Sequence, residues 1–254
     1  MDIIVLIKKV PDPNIPDTLV SIAVDGSAII LHPASQMSIN LYDLNAVELA
    51  LTLKEANGGT VTVVTAGDVA TEQYLRRVIS MGADRGVRVD ASAEVLADPL
   101  ATADALAKAI SQIGKYELVL AGRQASDTDA GLVPHAVAVA LDVPSISPVV
   151  AVDAIADRAI VVGKLTDAAI DYYEMPFPSV LCVSNEINKP RMPSLKGTMM
   201  AKKVQIEVLS ATAKPREARA TFAMKGGARQ ASTVIVKDGS SDDKAAALLA
   251  ALGV

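Results

Sequence analysis

The chain has 254 residues, 51% hydrophobic and 21% charged, a length suited to one large domain or about two small ones with a sizeable core. Its 24 Lys+Arg against 29 Asp+Glu give a net charge of −5, without the positive excess that general nucleic-acid binding uses to neutralise phosphates, so no nucleic-acid partner is expected. One cysteine, Cys182, and two histidines, His32 and His135, exclude an internal disulfide framework and a multi-thiolate zinc site, and leave little for Ser/His catalysis.

The opening MDIIVLIKKV is too short an apolar run for a secretory signal, and no stretch reaches the ~18 apolar residues of a membrane span. A cytoplasmic location is the expectation. Residues 3–8 form a β-branched apolar run, as expected of a strand buried on both faces of a parallel sheet. Two short runs between Leu19 and Leu31, split by Asp25-Gly26, predict a hairpin. Residues 42–57 carry apolar side chains near helical spacing and end at Gly58-Gly59, a helix stop. The alternation continues with strands predicted over 60–65, 86–89 and 117–121, and helices over 69–81, 100–113 and 129–141.

That order predicts an α/β fold: a doubly wound, mostly parallel sheet with helices on both faces. Past Pro144 the pattern changes to short strands over 149–152, 159–165, 170–173 and 180–183, expected to complete or flank the same sheet. From about Val204 core-like density falls, and Ala211 to Ala231 is rich in Ala, Lys and Arg before an amphipathic segment at 242–252. The expected organisation is an α/β nucleotide-binding domain over 1–203 and an extended C-terminal arm over 204–254.

Neither G-x-G-x-x-G after the first strand nor G-x-x-x-x-G-K-[ST] occurs, so the dinucleotide fingerprint and the P-loop are both missing. No G-x-S-x-G elbow exposes a serine, and Cys182, inside the apolar run Val180–Val183, reads as a buried core residue. What remains are loops at the ends of parallel strands, where open α/β sheets bind ligands. The stretch Ala121–Gly131 has small residues for close backbone approach and leads into a helix start, a seat for phosphate. Ala66-Gly67 and Asn40-Leu41-Tyr42-Asp43 occupy comparable places. Asp127 and Asp129 read as helix caps rather than a metal pair. Residues 189–203, KPRMPSLKGTMMAKK, carry four Lys, one Arg and no acid, +5 in fifteen residues, so the other 239 sum to −10. Met192, Leu195, Met199 and Met200 on such a segment suit docking, with charge steering the encounter.

VLIKKVPD at 5–12, S-x-N-x-Y-D at 38–43 running into AVELALTLKE, SMGADRG at 80–86, LVLAGRQASDTD at 118–129 and NEINKPRMPSLKGTMMAKK at 185–203 together resemble the β subunit of electron-transfer flavoproteins. The segments fall in family order over about residues 1–210. The resemblance implies an electron-carrier subunit, not an enzyme by itself, in a heterodimer with an α subunit, with FAD shared with that subunit and AMP or a second FAD held in β. It implies passage of electrons from an acyl-CoA dehydrogenase-type donor to a membrane or quinone-linked acceptor. A subunit of an electron-bifurcating, NADH-oxidising complex and a stand-alone nucleotide sensor of the universal-stress type are the alternatives.

Carried over by position, the nucleotide site comprises Leu6, Asn40, Leu41, Tyr42, Asp43, Ala66 and the stretch Arg123, Gln124, Ala125, Asp127, Asp129, Ala130, Gly131, Leu132 and Val133; Gly67 joins it as a small residue at a strand end. The docking loop falls on 185–203, with Leu195 as apolar anchor and Arg191, Lys196, Lys202 and Lys203 around it. Three positions depart from the family pattern. Gly131-Leu132-Val133 stands for an Asn-Gln-Thr run, Pro13 for a Tyr, and Gly163-Lys164-Leu165 for a Glu-Arg-Glu run. At the first of these the side chains that the family pattern would offer a phosphate are absent, so backbone groups or another ligand must substitute.

Overall fold

The computed structural model of the chain describes residues 1–26, 28–210, 213–216 and 235–252. Strand β1 (Asp2–Leu6) is followed by a short β2 (Lys9–Pro11), the hairpin β3 (Val20–Ile22) and β4 (Ile29–Leu31), and β5 (Met37–Ile39), which pairs antiparallel with β2. Helix α1 (Leu41–Asn57) leads to β6 (Thr60–Ala66), α2 (Glu72–Met81) and β7 (Arg85–Asp90), then α3 (Ala93–Ala97), α4 (Pro99–Ile113), β8 (Leu118–Gly122) and α5 (Leu132–Leu141). The remainder comprises β9 (Ser145–Ala156), β10 (Ala159–Leu165), β11 (Ile170–Pro176), β12 (Ser179–Val183), α6 (Leu195–Ala201), β13 (Glu207–Ser210) and α7 (Ser241–Leu252).

Nine strands form one sheet in the order β11-β10-β9-β12-β8-β1-β6-β7-β13. The run from β9 to β13 is parallel throughout, while β10 and β11 continue it antiparallel beyond β9. The alternation of β-branched residues places successive side chains on opposite faces. Ile3, Val5 and Ile7, with Leu118, Leu120, Leu181 and Val183, pack on the face covered by α1 and α2. Ile4, Leu6, Val119, Ala121, Val180 and Cys182 pack on the other face, beneath α4 and α5. Five alanines of α4, at 101, 103, 105, 107 and 109, are buried there and keep that helix close to the sheet. With both faces covered, the doubly wound α/β fold expected from the sequence is present. Among the described residues no helix is long and apolar enough to cross a membrane.

Four local expectations change. Helix α5 starts at Leu132, not Asp129, because Asp129 and Gly131 both adopt the left-handed region (φ 50° and 59°), which an α-helix cannot continue through. The basic segment, read as a loop, contains α6, whose cap is Ser194: its Oγ accepts from the Gly197 N–H at 2.9 Å. The sheet also runs past residue 203, since β13 pairs in parallel with β7 over Glu207–Ser210. The Arg216 N–H then donates to Asp98 Oδ2 at 2.7 Å, tying residues 213–216 to the start of α4. Of the expected arm, 211–212, 217–234 and 253–254 lie outside the described residues, so most of the Ala/Lys/Arg-rich stretch does too. Helix α7 is present and leaves Leu248 and Leu249 exposed.

Helix α6 lies against the last turn of α2 because it has no side chain at its closest point. A Cβ at Gly197 would stand 2.2 Å from the Ser80 carbonyl oxygen. Gly197→Ala is therefore expected to push α6 off α2 and to lower stability by about 1–3 kcal/mol, the usual cost of overpacking, read as a shift in denaturant midpoint at unchanged slope.

Candidate functional site at the ends of β1 and β8

From β1 the chain order runs to β6 and β7 on one side and to β8 on the other, so the sheet reverses between β1 and β8. A crevice opens outside the carboxyl ends of strands at such a point. Asp43, in the first turn of α1, sits at that point with 5% exposure. Its Oδ2 accepts from the Lys8 backbone N–H at 2.7 Å and its Oδ1 from the Gly122 N–H at 2.9 Å, so one carboxylate joins both strand ends. Burial pushes its carboxyl up to about 7, against the opposing pull of those two N–H groups, Asn40 and the Lys8 charge. Only glycine fits at 122, where a Cβ would meet Asp43 Oδ1 at 2.5 Å and Tyr42 Cβ at 2.6 Å.

The loop after β8 folds back over this junction. Asn40, buried ahead of α1, does not cap the helix; its Nδ2 donates to the Gln124 carbonyl at 2.8 Å and its Oδ1 accepts from the Ser126 N–H at 3.2 Å. Lys8 Nζ donates to both oxygens of Asp127, at 2.7 and 2.8 Å. Gln124 Nε2 donates to Asp129 Oδ1 at 2.9 Å. Asp127 and Asp129 are therefore not helix caps: one forms an ion pair and the other accepts from an amide. Among the described residues no group of three or more His, Cys, Asp or Glu could hold a metal ion. Arg123 lies over the Tyr42 ring, 5.0 Å from its centroid, and its Nη2 donates to the Tyr42 hydroxyl at 3.3 Å. Its Nε is buried with no hydrogen-bond partner among the described residues. Helix α5 then starts at Leu132 behind Gly131, which offers no side-chain cap, leaving its first N–H groups to a ligand or solvent.

The structure thus brings Asn40, Tyr42, Asp43, Arg123, Gln124, Asp127, Asp129 and Gly131 to one edge. Leu6, Ala66 and Val133 join the hydrophobic cluster on the α4 and α5 face beneath it. Leu41 and Leu132 are exposed at its rim, Ala130 is exposed beside Gly131, and the Ala125 carbonyl accepts from the Thr128 and Asp129 N–H groups to close the turn. Gly67 lies on the far side of β1: its N–H donates to the Val89 carbonyl and its own carbonyl accepts from Arg88 Nη1, so it supports β7 rather than lining the junction. Lys8 was not singled out from the sequence as a site residue, although it lies inside the matched VLIKKVPD run. Glu186, inside the 185–203 run, accepts from Ser184 Oγ, and that bond, with help from the Arg123 charge, holds its carboxyl below the usual range despite partial burial.

A second surface is built on α6. Met192 (79%), Leu195 (81%), Met199 (63%) and Met200 (55%) are exposed, with Lys196, Lys202 and Lys203 exposed around them. Arg191 is placed differently, its guanidinium turned inward onto Glu48 and Glu55 of α1. Cys182 is fully buried in β12, with its sulfur 3.9 Å from His135 Nε2, and burial pushes its thiol up to about 12. That environment suits packing rather than nucleophilic chemistry.

The family model described as electron transfer flavoprotein domain matches residues 29–214. The chain is 37% identical to the electron transfer flavoprotein subunit beta of Thermoanaerobacterium thermosaccharolyticum, over 83% of this chain and 79% of the relative. It is 36% identical to the protein of the same name from Mycobacterium bovis, over 82% and 79%. It is also 34% identical to the caffeyl-CoA reductase-Etf complex subunit CarD of Acetobacterium woodii, over 79% and 75%.

The Asp43 junction makes stability depend on pH in a definite direction. Its folded-state pKa of about 7 lies above the ordinary 3.8, so its contribution is full below the unfolded value and is lost as pH rises towards the folded one. Asp43→Asn, which does not titrate, should therefore cost more stability at pH 5 than at pH 8 in thermal denaturation. An equal cost at both would mean that the carboxyl is ionised throughout.

Proposed function

The chain belongs to the electron transfer flavoprotein family, as an electron-carrier subunit related to its beta subunits, and on that premise we propose that the β1–β8 crevice holds an adenine nucleotide while α6 docks an electron donor. The stand-alone stress-type sensor gives way to this family membership. The observation that carries the nucleotide reading is the pairing of an uncapped α5 N-terminus behind Gly131 with Arg123 Nε at the same loop, unpartnered among the described residues. Both are donors suited to phosphate oxygens. Glycine suits the turn before α5, since a Cβ at Gly131 would stand 3.0 Å from the Arg123 carbonyl and its backbone is left-handed. Gly131-Leu132-Val133 supplies backbone N–H groups where side chains are the family's usual choice, so the phosphate contacts are expected to be main-chain ones.

FAD, shared with an α subunit, and AMP or a second FAD in the β1–β8 crevice are the cofactors of this reading. Flavin, when bound, supplies the one- and two-electron chemistry. The chain's own residues orient the nucleotide and hold a donor in place. Tyr42 and Arg123 offer a stacked pair at the crevice, and Lys8 offers a cation held in reach by Asp127. An acyl-CoA dehydrogenase-type donor and a quinone-linked acceptor complete the path. A reading as part of an electron-bifurcating complex is favoured by one observation: relatives include subunits named for caffeyl-CoA reductase and acryloyl-CoA reductase assemblies. Denaturing the purified heterodimer and separating the released FAD and AMP distinguishes the cases. One FAD and one AMP per heterodimer supports a plain carrier, and two FAD supports bifurcation.

Gly131→Glu adds bulk at a left-handed position and a like charge beside the expected phosphate. It should abolish retention of the β-held nucleotide while the α-held FAD stays; unchanged stoichiometry would remove the crevice from consideration.

Leu195→Ala should raise the KM for the flavoprotein in a donor-coupled assay by about 5- to 30-fold, the equivalent of about 1–2 kcal/mol for an anchor in a desolvated pocket. Lys203→Ala should instead slow association at low salt and converge with the parent at high salt, because screening removes what the mutation removed.

A further inference from the structure

We propose that Arg191 is a positioning residue, which together with Asn188 fastens the exposed apolar segment 192–200 onto helix α1. The consequence for partner binding rests on the docking reading of α6, whereas the fastening itself does not. Arg191 spends its whole guanidinium inside the chain. Nε donates to Glu48 Oε1 and Oε2 at 3.1 and 2.9 Å, and Nη2 donates to Glu48 Oε1 at 2.9 Å and Glu55 Oε2 at 3.1 Å. Nη1 donates to Glu55 Oε1, and the Arg191 backbone N–H adds a bond to Glu48 Oε2 at 2.9 Å. The two glutamates are seven residues apart, two helical turns on one face of α1, the spacing a planar fork can straddle. Three residues earlier the same helix meets Asn188. Asn45 Nδ2 donates to the Asn188 carbonyl at 2.9 Å, and Asn188 Nδ2 returns a bond to the Asn45 carbonyl at 3.0 Å.

The other end of the segment is held as well. Arg76 Nη1, on α2, donates to the carbonyls of Ala201 at 2.7 Å and Val204 at 2.9 Å. Between these anchors stand the exposed Met192, Leu195, Met199 and Met200. A long apolar segment free in solution loses conformational entropy on binding, and fixing its backbone beforehand removes much of that cost. The positive charge of Arg191 is also matched by two carboxylates, so the lysines alone are left to steer a partner. Arg191 therefore acts through geometry, and its effect should not follow ionic strength.

The test uses Arg191→Lys in the assembled flavoprotein with its cofactors bound, because lysine keeps the charge and loses the fork. Amide exchange over 192–201 should accelerate, and the KM for the flavoprotein in a donor-coupled assay should rise roughly 3- to 10-fold, at low and high salt alike, with the effect on KM rather than kcat. Glu48→Gln should act in the same direction, and Glu55→Gln less, since the Glu48 side chain is 12% exposed and that of Glu55 59%. Unchanged exchange after both Arg191→Lys and Glu48→Gln overturns the proposal. So does a KM for Arg191→Lys equal to the parent's when Leu195→Ala raises it, since lysine keeps the charge and loses only the fork. Leu195→Ala run in parallel separates the two readings: if it leaves KM unaltered, docking at α6 is wrong, and the fastening is decided by exchange alone.

Discussion

One buried carboxylate joins the two halves of the sheet. Asp43 accepts from the backbone at the end of β1 and at the end of β8, the two strands between which chain order reverses. Burial opposes its charge, and two main-chain donors favour it, as charge-assisted bonds do. Removing the acceptor would strand both N–H groups in a dry junction, at about 1–3 kcal/mol each. The arrangement also dictates its neighbours. Residue 122 must be glycine, Asn40 is free to reach across to the loop after β8, and that loop is drawn over the crevice by Asn40 and Lys8.

The same helix serves two places. Asp43 lies in the first turn of α1 and Glu55 in its last, twelve residues or roughly 18 Å along the axis. The helix packs on the sheet through Ala46, Val47, Ala50 and Leu51, all at most 2% exposed, and so moves with it as a rigid element. Whatever orders the crevice end of α1 therefore shares a body with whatever holds the segment preceding α6. The short side chains along the buried face make this possible, since alanine lets a helix lie close to a sheet without gaps.

Much of the frame was legible because its signals are local. The β-branched runs at 3–8, 60–65 and 180–183 become central parallel strands, and Gly58 ends α1 as the sequence suggested. That segments 40–43 and 123–131 meet at one edge was legible for the same reason: each follows a strand and leads into a helix. What was hidden depends on partners distant in the chain. In the linear sequence Arg191 is one more positive charge in a basic run; its partners Glu48 and Glu55 lie more than 130 residues earlier. Asp127 and Asp129 read as caps because a linear sequence shows neither Lys8 nor the left-handed turn that delays α5. Gly67 read as a site residue because its bond to Val89 requires knowing that β6 and β7 are neighbours.

The burial of Cys182 has a practical side. It is the chain's only cysteine, it is sealed within β12, and its thiol is pushed up to about 12, so almost none of it is thiolate near neutral pH. Thiol-directed dyes and spin labels should pass this chain by in its native state. A cysteine placed at an exposed position on α6, such as Met199, would be its single reactive site, and one label would then report the motion of that surface without any need to remove a native residue.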